Sequence, residues 1–142
     1  IVFHEVAHGW MARALGDPTF LQTTVENLLR NAIRFSPTGG AVGVTTWCNG
    51  GTVGIAVTDS GPGIPEALIE RIFDRFVQAP DEVRRGRGHG LGLEIAQGIA
   101  ELHGGRIVAR NRRGEDGRAI GCEMEVRLPA LNDSEGISPQ ST

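Results

Sequence analysis

Ala41-Val42-Gly43-Val44-Thr45-Thr46-Trp47-Cys48-Asn49-Gly50-Gly51-Thr52-Val53-Gly54-Ile55-Ala56-Val57-Thr58-Asp59-Ser60-Gly61-Pro62-Gly63-Ile64-Pro65 alternates apolar and small polar residues, then breaks into glycine and proline. Val42, Val44 and Thr46 recur at every second position, as do Val53, Ile55 and Val57, the period of a half-buried strand. Asn49-Gly50-Gly51 between the two runs is a hairpin signal. The string from Asp59 to Pro65 is a turn. The stretch therefore predicts two antiparallel strands, 41–48 and 52–59.

Outward from this hairpin the period changes. Asp17-Pro18 starts a helix as N-cap and first helical residue. Leu21, Val25, Leu28, Leu29, Ala32 and Ile33 form its apolar face, and it ends near Ser36-Pro37. Residues 66–76 predict a second helix with Leu68, Ile69, Ile72, Phe73 and Phe76 inward. A third spans 91–103 on Leu93, Ile95, Ala96, Ile99 and Leu102, stopped by His103-Gly104-Gly105. Residues 77–90 carry neither period and read as a mobile loop. Strands 106–110 and 121–128, joined by a polar loop over 111–120, make a second hairpin. Phe3, Val6, Ala7, Trp10, Met11, Ala14 and Leu15 give residues 2–15 a helical spacing. The tail 131–142 is polar and is expected to be disordered. The expected fold is α+β, a two-layer sandwich of a mostly antiparallel sheet covered on one face by helices.

Composition narrows the function classes. The 142 residues are 39% hydrophobic and 22% charged, a soluble globular balance. No apolar run reaches the ~20 residues of a spanning helix. A net charge of -3 argues against a general nucleic-acid binder. Two cysteines, Cys48 and Cys122, suit a reducing compartment. No basic n-region precedes the opening apolar residues, so no secretory leader is expected. Glycine occurs 21 times, about twice its ordinary share. Its clusters at 39–54, 61–63, 86–92 and 104–105 suggest loops where backbone approaches a ligand.

Three constellations carry chemistry. Asn27 and Asn31 lie one helical turn apart and share a face with Arg34. They read either as oxygen ligands for a hard cation such as magnesium or as solvated or capping side chains. Asp59 ends an apolar strand before Gly61 and Gly63. It reads either as an acceptor for an exocyclic amine or as an ordinary Asx-type turn. Gly86-Arg87-Gly88-His89-Gly90-Leu91-Gly92-Leu93 opens a helix whose free N–H groups suit phosphate oxygens. It is neither a dinucleotide fingerprint nor a P-loop, because no strand leads into it and no Lys-Ser/Thr follows.

In this order and spacing the three resemble the ATP-binding catalytic domain of sensor histidine kinases, within the superfamily of gyrase, heat-shock-90 and mismatch-repair ATPases. Leu28 to Pro37 resembles the family's N box, Asp59 to Ile64 its G1 box, Phe73-Asp74-Arg75-Phe76 its F box and Gly88 to Leu93 its G2 box. The resemblance spans residues 16–130 and implies the Bergerat-type ATP-binding fold. It implies ATP and Mg2+ as cofactors, with Asn31 on magnesium and Asn27 at the phosphate and metal site. Arg34 would contact phosphate, Asp59 the adenine amino group, and Gly61 and Gly63 the adenine pocket. Residues 77–89 would be the ATP lid, anchored through Phe73 and Phe76. Gly88, His89, Gly90, Leu91 and Gly92 would wrap the triphosphate. Arg84, Arg85 and Arg87 read either as phosphate contacts or as solvated charges.

The opening has a resemblance of its own. His4-Glu5-Val6-Ala7-His8 is an H-E-x-x-H string. Phe3 to Thr19 is similar to the zinc helix of site-2 metalloproteases, which implies His4 and His8 as zinc ligands with Glu5 as base. A catalytic zinc needs a third ligand, and neither His89 nor His103 is an obvious one. The two resemblances meet on Gly16-Asp17-Pro18-Thr19, as in a composite chain: an N-terminal helix 1–15, an ATP-binding domain 16–130 and a tail.

The expected function is thus a cytoplasmic Mg-ATP-binding domain, monomeric alone. It would donate the γ-phosphate to a histidine on a separate dimerisation domain and serve a response regulator indirectly. His4-Glu5 lacks the proline of an acceptor motif, so the acceptor histidine belongs elsewhere. The alternatives are an ATP-gated interaction module without phosphotransfer and a zinc peptidase fragment.

Overall fold

The computed structural model describes residues 2–6, 16–74 and 92–130. Its elements are β1 (Val2–Val6), α1 (Pro18–Phe35), β2 (Ala41–Asn49), β3 (Thr52–Thr58), α2 (Glu66–Ile69), α3 (Gly92–Leu102), β4 (Arg106–Arg113) and β5 (Ala119–Pro129). The strands form one sheet in the order β1-β2-β3-β5-β4. β1 runs parallel to β2, and every other pairing is antiparallel. The expected α+β sandwich is observed.

The expected hairpin β2–β3 forms, with Asn49 opposite Thr52 and Val44 opposite Val57. One face of the sheet carries Val42, Val57, Ile107, Cys122, Met124, Val126 and Leu128 into the core. α1 and α3 cover that face with Leu28, Ala32, Ala96 and Ala100. Small residues at the α3 contact let the two helices lie close over the sheet.

Local chemistry fixes the helix ends. The Asp17 carboxylate accepts from the Thr19 and Phe20 N–H groups at 2.9 and 3.4 Å, with Pro18 in the first turn. His103 accepts the Asp17 N–H at Nε2 (3.0 Å). That bond requires a bare Nε2, so the ring proton sits on Nδ1 and is donated to the Ile99 carbonyl at 2.7 Å. The end of α3 thereby caps the start of α1. α3 itself closes in a Schellman arrangement, Gly105 N–H to Ala100 C=O and Gly104 N–H to Glu101 C=O, with Gly104 at φ 74°.

Several expectations are corrected. Residues 2–6 are a strand, not the first turns of a helix. The free edge of β2 offers unpaired backbone groups, and Val2, Phe3 and Val6 are strand formers; Val2 pairs with Ala41 and Val6 with Thr45. The helix expected over 66–76 is a single turn, Glu66–Ile69, followed by turns to Asp74. Ile33, Ile95 and Leu102, expected inward, are exposed, Leu102 by 86%. The face α1 turns inward carries Thr24 and Asn31 beside the expected Leu28 and Ala32. The second hairpin is longer than expected, leaving 114–118 as its loop, with a register shift between Arg112 and Arg113. The lid, Phe76, Gly88, His89, Gly90, Leu91, His8 and the tail lie outside the described residues.

Candidate functional site

The C-terminal end of α1 abuts the turn after β3. Ser36 Oγ accepts the Ser60 N–H at 3.1 Å. Ser60 Oγ continues the sheet edge, accepting from the Ala41 N–H at 3.2 Å and donating to its carbonyl at 2.7 Å. At Gly61 a Cβ would stand 2.7 Å from the Phe35 carbonyl oxygen, so the turn passes the helix end where no side chain fits. These contacts fix the C-terminal end of α1 and the start of β2 against the turn that carries Asp59.

Asp59 is 5% exposed. Its Oδ1 accepts two N–H groups, from Gly61 and from Cys122, each at 2.9 Å. The first is the Asx-type turn; the second comes from the neighbouring strand, and the turn alone does not require it. The Asp59 N–H in turn donates to the Cys122 carbonyl at 2.9 Å. Among the described residues no group donates to Oδ2. Burial pushes the Asp59 carboxyl above its ordinary pKa, while the Gly61 and Cys122 N–H groups and the Arg112 charge pull it down. Burial, then the Asp59 charge, push the Cys122 thiol up to about 12.

Asn31 is 7% exposed, an uncommon depth for an asparagine in a helix interior. Its Oδ1 accepts from Arg34 Nη2 at 3.0 Å, and its Nδ2 faces Met124 Sδ at 3.8 Å. Arginine only donates, so the amide oxygen is the atom turned to Arg34. The Arg34 guanidinium also lies over the Phe35 ring, 5.1 Å from its centroid. Asn27 is half-buried one turn earlier, and a Cβ on Gly92 would lie 3.7 Å from its Oδ1. The opening of α3 therefore meets the asparagine face of α1. Phe73 packs at the edge of the core.

Gly63 holds φ 80°, and a Cβ there would meet Ala119 Cβ at 2.8 Å and Asn111 Oδ1 at 2.9 Å. Asn111 makes a two-point bond to Ile64, accepting its N–H and donating to its carbonyl, both at 2.7 Å. Arg112 donates to the Asp59 carbonyl at 2.9 Å, and Arg113 pairs with Glu66. Asn111, Arg112 and Cys122 were not among the sequence-derived candidates. Asn111 and Arg112 belong to a polar run, Arg110 to Arg113, that reads as solvated surface, and Cys122 acts through its backbone N–H, so no sequence signal marks them.

His4 pairs with Gly43 inside β1, so the one-turn helical spacing that the zinc reading needs is not formed through Val6. No group of three or more metal-binding side chains occurs among the described residues. An open depression of about 410 Å³ lies at the far end of the sheet, lined by Trp47, Gly51, Arg106, Arg127 and Pro129 among others. None of the motif residues lines it.

The fold has known relatives among the histidine kinases. The sequence profile described as histidine kinase-, DNA gyrase B-, and HSP90-like ATPase matches residues 16–132. The histidine protein kinase DivJ of Caulobacter vibrioides is 40% identical over 115 residues, covering 81% of this chain and 18% of that protein. The sensor-like histidine kinase SenX3 of Mycobacterium bovis is 39% identical over 120 residues, covering 84% and 28%. The chain thus spans under a third of the length of either relative. Among solved structures, the mycobacterial sensor histidine kinase MprB superposes with a TM-score of 0.77 at 30% identity, over 91% of this chain and 81% of that one. Full-length ShkA in complex with AMPPNP superposes at 0.76 with 26% identity, over 92% and 26%.

Proposed function

This chain belongs to the histidine kinase-, DNA gyrase B-, and HSP90-like ATPase family, and from that premise we propose that it binds Mg-ATP between α1 and the β3–α2 turn and presents the γ-phosphate to a histidine on another domain. The observation that carries the reading is Asp59: a buried carboxylate with one oxygen fixed by two N–H groups and the other without a donor among the described residues. Such an oxygen suits the exocyclic amine of adenine. Gly61 and Gly63 let the turn that carries Asp59 pass close to the end of α1 and to Asn111, where no side chain fits.

Asn27 and Asn31 are neutral hard-oxygen donors one turn apart, a donor set that fits magnesium alongside water and substrate phosphates. Bound there, the ion would neutralise charge on the triphosphate. Asn31 Oδ1 is held by Arg34, so a cation on that oxygen must share or displace the guanidinium, which would leave Arg34 turned to phosphate. Gly92 and the N–H groups opening α3 would face the phosphates, and residues 77–89 would close over them. Phosphoryl transfer then depends on positioning and charge neutralisation more than on a protein nucleophile. The receiving histidine, on a dimerisation domain, and a response regulator beyond it are the partners this reading requires. No described helix is long and apolar enough to cross a membrane.

Calorimetric titration with ATP, with and without magnesium, tests the reading. Asp59→Asn should weaken ATP about tenfold or more, the scale of one hydrogen bond to a charged group. Asn31→Ala should remove the dependence on magnesium. Unchanged affinity in both variants would end the proposal. Adding a separate histidine-bearing domain should give phosphohistidine; ATP binding without it would leave an ATP-gated interaction module.

A further inference from the structure

The turn that carries Asp59 is held from outside by one strand. Three successive residues of β4, an edge strand, reach loop 59–66 at three points: Asn111 at Ile64, Arg112 at the Asp59 carbonyl, Arg113 at Glu66. Asn111 and Arg112 leave opposite faces of the sheet, as neighbours on a strand must. The loop is therefore gripped from the helix-covered face of the sheet and from the opposite face together. The exposed Arg113–Glu66 pair adds little. The Arg112 contact is different, because it is half-buried and ends on the residue whose side chain is at issue.

Its path requires Gly121. Arg112 lies opposite Gly121 in the β4–β5 ladder and crosses it to reach the end of β3. A Cβ on Gly121 would lie 1.9 Å from the Asp59 carbonyl oxygen and 3.4 Å from Arg112 Nη1. The bare α-carbon thus lets β3 and the guanidinium close over β5. The next residue, Cys122, supplies one of the two N–H groups on Asp59 Oδ1. Arg112, Gly121 and Cys122 fix the Asp59 main chain on one side and its carboxylate on the other.

We propose that Arg112 is a positioning residue for purine recognition: by bonding the Asp59 carbonyl across Gly121, it aims the free carboxylate oxygen at the exocyclic amine of the base. The inference rests on the reading of Asp59 given above. It assigns to Arg112 a share of base discrimination, not of phosphate binding or of fold.

Titration of the full chain with adenosine and inosine triphosphates separates these roles, since inosine carries a carbonyl where adenosine carries the amine. The wild-type chain should prefer ATP by about tenfold or more. Arg112→Met should cut that preference about threefold or more, mainly by weakening ATP, while Arg112→Lys restores part of it. Gly121→Ala should reproduce the Arg112→Met ratio. On an Asp59→Asn background, Arg112→Met should change the ratio no further. Equal weakening of both nucleotides by Arg112→Met, or an unchanged preference in a variant that circular dichroism shows to be folded, overturns the inference. Loss of the preference in Asp59→Asn with none in Arg112→Met does so too, while leaving the reading of Asp59 intact. No effect of Asp59→Asn on the preference overturns that reading itself.

Discussion

Gly63→Ala tests how tightly the turn after β3 is held. Two costs meet at this position. The residue sits at φ 80°, which an L side chain adopts at about 1–2 kcal/mol. The new methyl would also stand 2.8 Å from Ala119 Cβ and 2.9 Å from Asn111 Oδ1, inside van der Waals contact on both sides. Neither neighbour yields easily: Ala119 is the first residue of β5, and Asn111 is tied at both ends of its amide to Ile64. Overpacking of this kind costs about 1–3 kcal/mol. Alanine returns roughly 0.4–1 kcal/mol by restricting the unfolded chain. The expected net loss is about 2–4 kcal/mol. Gly39→Ala is the matched control, because Gly39 has φ 77° but nothing within 4 Å of its would-be Cβ. It carries the backbone cost alone, about 1 kcal/mol net. Urea unfolding followed by tryptophan fluorescence measures both variants, and nucleotide titration should find ATP weakened in Gly63→Ala only. If the two alanines cost the same, the loop is not wedged between Asn111 and Ala119 and the description of the site is wrong.

Other expectations are more local. His103→Ala removes the acceptor for the Asp17 N–H and should lower stability by about 1 kcal/mol, read as a shift in urea midpoint; no shift would mean the two helix ends are not coupled. In the folded chain at mildly alkaline pH, exposed Cys48 should react with an alkylating reagent while Cys122, buried and with its thiol pushed up to about 12, should not; mass spectrometry finding both labelled without denaturant would contradict this packing. Burial raises the folded pKa of Asp59 above its unfolded value, so its contribution to stability is present below the unfolded pKa and is lost as pH rises through the folded one. Asp59→Asn should flatten that loss in a series of urea midpoints across acid pH, and an unaltered slope would count against it.

The sheet was legible because its signals are short-range. The alternation of Val42, Val44, Val53, Ile55 and Val57 around Asn49-Gly50-Gly51 sets the face and the register within one hairpin. The cap at Asp17-Pro18 and the stop at Gly104-Gly105 are likewise local. The failures were cases where a distant partner decided. Residues 2–6 carry apolar residues at helical spacing, yet their backbone satisfies itself on the open edge of β2. That partner lies some forty residues away, and no window of local sequence contains it. Ile33 and Leu102 fit an apolar stripe by period but fall outside the strip where α1 and α3 meet the sheet. Asn31 and Thr24 fall inside it, which periodicity of apolar residues alone does not reveal.

The site divides along the same line. Asn31, Asp59, Gly61 and Gly63 stand out in sequence because each breaks its local pattern: an amide inside a helix, an acid ending an apolar strand, glycines where chain must pass closely. What holds them in place does not stand out. Cys122 acts through its backbone N–H, which every residue except proline possesses, so its side chain gives no hint of the role. Arg112 reaches Asp59 only because Gly121 is bare, a dependence between two strands that neither strand displays alone. Local exceptions therefore mark the groups that would touch a ligand, and the last hairpin decides how accurately they point. A variant that preserves every motif residue while filling Gly121 should keep the fold's outline and still lose discrimination between bases.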